Sequence, residues 1–242
     1  MAIDTPSDSR SFSVAMRRRQ RAESLLVTTL LVGGCFSSSL LQEPRPMPPG
    51  KIRVALGAEM GILRGKREAS GTIAVPVVGM RVGVAPRTEL RGRVGIENYE
   101  GGVNVQAVDG ERVDLLLMPS YFQADVDDIF DEEPTAVLRG FAMPAVVGVA
   151  LDAARRHHVF VAPDVRVGTR NREAWGAAGV HIGASFAGPA DHGAFIPECA
   201  WLVGFGARAP RDVYGLSRLL EHGGHSVTCS LGVTLGGNHM PR

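Results

Sequence analysis

HSVTCSLGVTLGG, residues 225–237, is two-faced almost throughout. Val227, Cys229, Leu231, Val233 and Leu235 alternate with Ser226, Thr228, Ser230, Gly232 and Thr234. A period of two puts alternate side chains on opposite faces of a β-strand, and unlike faces mean unlike surroundings. The fold turns on which face is wet. An apolar face turned inward makes a soluble sandwich or barrel with a greasy core. Turned outward, it makes a membrane barrel with a polar inside.

Composition narrows the choice. Hydrophobic residues make up 45% of the 242, charged residues 21%, and 30 are glycine. An interior glycine costs a helix about 1 kcal/mol relative to alanine, which argues against a helical bundle. The formal charge of +1 offers no field for nucleic acid. No apolar run approaches the roughly 20 residues of a spanning helix, so any membrane span is built from strands.

Working outward from 225–237, alternation predicts strands at 51–60, 72–85, 88–97, 102–108, 111–122, 137–151, 157–168, 174–187, 194–206 and 225–236. Val108-Asp109-Gly110-Glu111 predicts a tight Asp-Gly hairpin turn between the fourth and fifth. The apolar stripes, such as Ile52, Val54, Leu56 and Met60, oppose stripes carrying both signs of charge. The charged set is Arg53, Arg81, Glu89, Arg91, Arg93, Arg112, Asp114, Asp164, Arg166 and Glu198. Inside a narrow barrel these would pair across the lumen, because buried ions persist only when paired or hydrated. On a soluble domain they would be the wet outside. Periodicity fits both.

Connection lengths separate the two readings. In order, the links are long (61–71), short (86–87), medium (98–101), short (109–110), long (123–136), short (152–156), medium (169–173), medium (188–193) and long (207–224), so that apart from the last medium one longer and shorter links alternate. Membrane barrels show this asymmetry, with short turns at one end and longer loops at the other. The predicted fold is an all-β, antiparallel up-and-down β-barrel of about ten strands (roughly eight to twelve). It is preceded by a signal peptide and a flexible tether. The runs VGMRVGVAPRTELRGRVGIENYEGGVNVQAV and FIPECAWLVGFG resemble those of small bacterial outer-membrane β-barrel proteins. That resemblance makes Trp175, Trp201, Tyr99, Tyr121 and Tyr214 the candidates for an interfacial aromatic girdle.

The amino terminus reads as an address. Met16 begins MRRRQRAESLLVTTLLVGGC, a basic stretch and then a short apolar one, as in a secretory signal. Leu31-Val32-Gly33-Gly34-Cys35 resembles the bacterial lipobox, which implies that Cys35 is lipidated and becomes the mature first residue. A helix leading into the domain around a free cysteine is the alternative. Phe36 rather than aspartate after the cysteine implies, by the same resemblance, the outer membrane. The expected division is 1–34 signal peptide (the true start being Met16), 35–50 lipidated flexible tether, 51–237 barrel and 238–242 tail. FSSSLLQEPRPMPPG supplies the tether, ending in a Pro-rich extended piece.

Candidate chemistry is sparse. Cys199 and Cys229 fall on the apolar faces of the last two strands. An oxidising compartment permits a disulfide between them; two small apolar residues facing lipid is the other reading. The segment QADVDDIFDEEP carries Asp125, Asp127, Asp128 and Asp131, which could attract a hard cation, but a solvated loop explains it as well. His181 and Ser185 share a strand face at about 13 Å, too far apart for a catalytic dyad. No phosphate-binding loop or nucleophile elbow occurs. The expectation is a non-enzymatic outer-membrane barrel of structural or narrow-pore role, with membrane lipid as partner and no cofactor. Two alternatives stand beside it: a soluble periplasmic β-sandwich or barrel lipoprotein binding a small apolar ligand, and, by analogy of fold alone, an outer-membrane hydrolase.

Overall fold

The computed structural model describes residues 40–64, 69–95, 98–127, 134–170, 172–188, 193–206 and 225–236. The leader, Cys35, Asp128, Asp131 and Tyr214 lie outside the described residues. The strands are β1 (Ile52–Arg64), β2 (Ala69–Ala85), β3 (Thr88–Val94), β4 (Asn98–Asp109), β5 (Val113–Leu117) and β6 (Ser120–Asp127). They continue as β7 (Pro134–Ala142), β8 (Ala145–Ala150), β9 (His157–Arg170), β10 (Glu173–Ala187), β11 (Gly193–Gly206) and β12 (His225–Leu235). No helix occurs among the described residues.

Every ladder is antiparallel, and β12 pairs with both β11 and β1, so the sheet closes on itself. The wall has ten positions rather than twelve. Strands β5 and β6 form one stave, both paired to β4, and β7 and β8 form the next, both paired to β9. Each stave is broken at a proline, Pro119 or Pro144, which has no N–H to give the ladder. The prolines still accept: Val103 N donates to Pro119 O at 3.0 Å, and Met118 N to Pro144 O at 2.9 Å.

The apolar face looks out. Phe141, Ile182 and Val94 are 64%, 62% and 59% exposed, and similar residues ring the wall on every strand pair. The charged face looks in, with Glu89, Asp114, Asp164 and Arg166 at or below 1%. A soluble sandwich with valines at its centre is therefore not what this sequence builds.

Several expectations need correction. Arg112 does not face the lumen. The hairpin is wider than Asp-Gly, with Gly110 N bonded to Val113 O at 3.0 Å, and this leaves Arg112 exposed in the turn. The hairpins at the other end run further than alternation suggested, with Arg64 paired to Ala69 and Asp127 to Pro134. Backbone pairing continues there after the apolar stripe has ended, so Asp125 and Asp127 belong to β6 rather than to a loop. Of the aromatic candidates, Trp201, Tyr99 and Tyr121 face outward, but Trp175 points inward against Phe122, edge to face at 6.0 Å.

The largest correction concerns residues 40–50, expected to be a flexible tether. They run inside the barrel. Leu40, Leu41, Gln42 and Met47 are buried by the wall. The Pro-Pro-Gly that suggested an extended linker is instead a reverse turn: Lys51 N donates to Pro48 O at 3.2 Å, with Pro49 and Gly50 between. Gly50 has φ 76, the left-handed value the third position of a type II turn requires. Gly50 N and Gly83 O, 2.8 Å apart, fix that turn to the end of β2. The chain thus comes down the lumen, reverses at the rim and climbs again as β1.

Candidate functional site

The lumen is the site. Strand pairing sets Arg53 of β1 directly opposite Arg81 of β2, and Arg81 opposite Arg91 of β3. All three side chains are buried. Three like charges abreast on neighbouring strands, with Cβ atoms about 5 Å apart, repel one another unless anions lie between them. The wall supplies two. Glu100 of β4 bonds Arg91, and Arg93 at 2.5 Å; Ser120 Oγ also donates to it at 2.6 Å. Glu89 of β3 stands 3.5 Å from Arg81.

The third anion comes from the luminal segment. Glu43 Oε1 bonds Arg53 Nη1, lies 3.3 Å from Arg81 Nη2 and accepts from Thr234 Oγ1 at 3.1 Å. Burial pushes the Glu43 carboxyl up, but the Arg81 and Arg53 guanidiniums outweigh it and hold it below the usual range. Next to it, Gln42 Nε2 donates to Glu89 Oε1 at 3.0 Å, and Asn104 Nδ2 bonds both Glu89 and Gln42. Backbone groups complete the grip. Met47 N donates to Glu89 Oε2 at 2.8 Å, and Leu40 N to Glu198 Oε1 at 3.0 Å.

On the opposite wall, Asp164 Oδ2 accepts from Arg166 Nε at 2.7 Å and lies 3.3 Å from His181 Nε2. His181 Nδ1 lies 2.7 Å from Glu198 Oε1. Both ring nitrogens are therefore engaged by carboxylates, and neither is left to activate Ser185. Nearer the short-turn end, Asp114 Oδ1 accepts from Gln106 at 2.8 Å and from Arg155 at 2.5 Å.

The interior is not polar throughout, another departure from expectation. Leu116, Met118, Val146, Phe160, Ala162 and Ile196 form an inward apolar cluster that receives Leu40. Leu41 packs with Ala55 and Val77. Its backbone is left-handed, φ 45, which costs about 1–2 kcal/mol; burying a leucine side chain offsets that with about 1.5–3 kcal/mol. Glycines make the room. A Cβ on Gly148 would collide with the Pro44 ring, and one on Gly83 with the Pro48 carbonyl.

Of the ten charges expected to line the lumen, Arg53, Arg81, Glu89, Arg91, Arg93, Asp114, Asp164, Arg166 and Glu198 are buried there, and Arg112 is outside it. Sequence reading missed Glu43, Gln42, Asn104, Glu100, His181 and Arg155 as partners. Glu100 is legible: Asn98, Glu100 and Asn104 keep one parity along β4, which starts at Asn98 and not at the expected 102. Cys199 and Cys229 are paired in register on the outer face and disulfide-bonded. Among the described residues, no group of three or more His, Cys, Asp or Glu could hold a metal ion.

No protein-family model matches the chain. No curated protein sequence matches it either. Solved structures do. Neisserial surface protein A aligns at 9% identity, over 76% of this chain and 96% of that one, with a TM-score of 0.36. The outer-membrane protease OmpT from Escherichia coli aligns at 8% identity, over 78% and 97%, with a TM-score of 0.41. Ail, the attachment invasion locus protein of Yersinia pestis, aligns at 8% identity, over 78% and 99%, with a TM-score of 0.29.

Proposed function

We propose that the chain is an outer-membrane β-barrel of structural or narrow-pore role, without catalytic activity, whose lumen is closed by its own residues 40–50. One observation carries this reading: a closed wall with large apolar side chains outside and paired charges inside. Such an outer surface is stable in hydrocarbon and a liability in water, where exposed apolar patches above a few hundred Å² drive association. The short-turn end, where β1 begins and β12 ends, would face the periplasm. The lipobox-like run ending at Cys35 supports a lipid anchor, which incorporation of a labelled fatty acid, lost in Cys35→Ala, would test.

The direct test of the barrel reading is detergent dependence. Cys35→Ala is expected to stay detergent-dependent; a soluble monomeric Cys35→Ala protein would end the membrane reading. Planar-bilayer recording tests closure. The intact chain is expected to be almost silent, because Leu40, Gln42 and Glu43 fill the bore. Steady conductance of the size of an open ten-stranded pore would refute it.

A further inference from the structure

Arg53 differs from Arg81, Arg91, Arg93 and Arg166: its carboxylate partner lies on the luminal segment and not on the wall. Arg91 and Arg93 share Glu100, Arg81 has Glu89 at 3.5 Å and Arg166 has Asp164, all fixed in the wall. Arg53 has no wall carboxylate within ion-pair distance among the described residues. Its neighbour across the β12 seam supplies only a carbonyl, Gly236 O, which accepts from Arg53 Nε at 3.0 Å. Glu43 alone gives it a negative partner, and Glu43 sits on a strand-free segment held by side chains and glycine-sized gaps. Arg81 is under-satisfied even with Glu43 docked. Its Nε and Nη1 are buried without a hydrogen-bond acceptor.

An arginine serving only to stabilise the wall would have an acid on the wall, as Arg81, Arg91, Arg93 and Arg166 do. We infer that Arg53 and Arg81 form a carboxylate-binding site in the lumen, that Glu43 is its built-in occupant, and that a small carboxylate anion taking Glu43's place loosens the luminal segment. Guanidiniums present several donors in a plane suited to a carboxylate, and Arg81 Nε is buried without an acceptor. The transport consequence rests on the narrow-pore reading: with the segment displaced, the bore presents Arg53, Arg81 and Arg91 in a row on neighbouring strands and prefers anions.

The test uses the full chain. Glu43→Gln keeps the shape of the side chain and removes its charge. In planar bilayers under a potassium chloride gradient, Glu43→Gln is expected to conduct with a reversal potential showing a several-fold preference for chloride. Adding Arg53→Gln is expected to abolish that preference. Conductance without anion preference, or a preference indifferent to Arg53→Gln, overturns the site while leaving the pore reading intact. If Glu43→Gln is silent, the pore reading fails, and binding is then decided on the wild-type chain in detergent. Millimolar acetate is expected to speed amide exchange of residues 40–47 several-fold, while acetamide and ionic-strength-matched chloride do not. Exchange insensitive to acetate overturns the proposal without reference to conductance.

Discussion

Two parts of the lumen hold the same segment by different means. Around Glu43 the wall is β1 to β3, and the grip is ionic, through Arg53, Arg81 and Glu89. Around Leu40 the wall is β5, β8, β9 and β11, and the grip is apolar, through Leu116, Val146, Phe160 and Ile196. The ionic side fixes which atom sits where, because unpaired buried charge is heavily penalised. The apolar side is tolerant of detail and contributes by area and fit. A mutation on each side should therefore fail differently: loss of charge should damage the barrel, and loss of fit should free the segment.

The largest effect is expected from Arg81→Ala. It leaves Glu43 with one guanidinium and Glu89, fully buried, with none. Removing one member of a buried pair costs about 3–5 kcal/mol. Heat-modified mobility on gels should show the folded barrel melting well below wild type. An unchanged midpoint would mean the arginine row contributes nothing to the wall, and the comparison would fail at its ionic end.

Leu40→Ala comes next. Truncating a buried leucine costs about 2–5 kcal/mol. The loss should appear in the segment alone, as faster amide exchange at 40–47 with the melting midpoint of the barrel unmoved. Gly148→Val is milder. The new side chain meets the Pro44 ring, and overpacking of this kind costs about 1–3 kcal/mol. The same exchange measurement, with β8 and its ladder to β9 unaffected, would confirm that the glycine exists to admit the proline. Slower exchange would show that the gap was not needed.

The sequence disclosed the barrel more readily than its contents, and the reason is local. Where the inside of the wall is charged, as in β1 to β3, alternation is sharp and both faces can be assigned from residue type. Where the inside is apolar, as at Leu116, Val146 and Ile196, both faces look alike and the parity blurs. That blurring was itself a signal. An inward leucine or isoleucine in a polar bore needs something apolar to pack on, and LLQEPRPMPPG carries two leucines, a methionine and a Pro-Gly turn. The segment reads as a linker because proline-rich composition is ordinarily extended and solvated. Its burial depends on pairings such as Glu43 with Arg53 that no periodicity within the segment encodes. Conversely, Glu100 escapes the alternation only because two successive glycines, Gly101 and Gly102, interrupt the pattern four residues into β4.

The smallest effect at neutral pH, and the sharpest separation of the two grips, comes from acid. The Glu43 carboxyl is held below its ordinary value when docked, since Arg81 and Arg53 outweigh the cost of burial. A group whose value is depressed on docking contributes its full stabilisation above the undocked value, about 4.3 for glutamate, and loses it as pH falls through the docked one. Protection of residues 40–47 from exchange, taken relative to the intrinsic rate at each pH, should thus be flat from neutral pH down to about 5 and fall on further acidification. Asp152, in the turn between β8 and β9, is also held low, chiefly by the His157 backbone N–H and also by that of Arg156, so that turn loosens in acid as well. Glu43→Gln separates the two. It should abolish the acid response of the segment and leave that of the turn, whereas a segment response that survives in Glu43→Gln would assign the ionic grip to some other carboxylate. Leu40→Ala, acting on the apolar side, should shift the whole curve without changing the pH at which it bends.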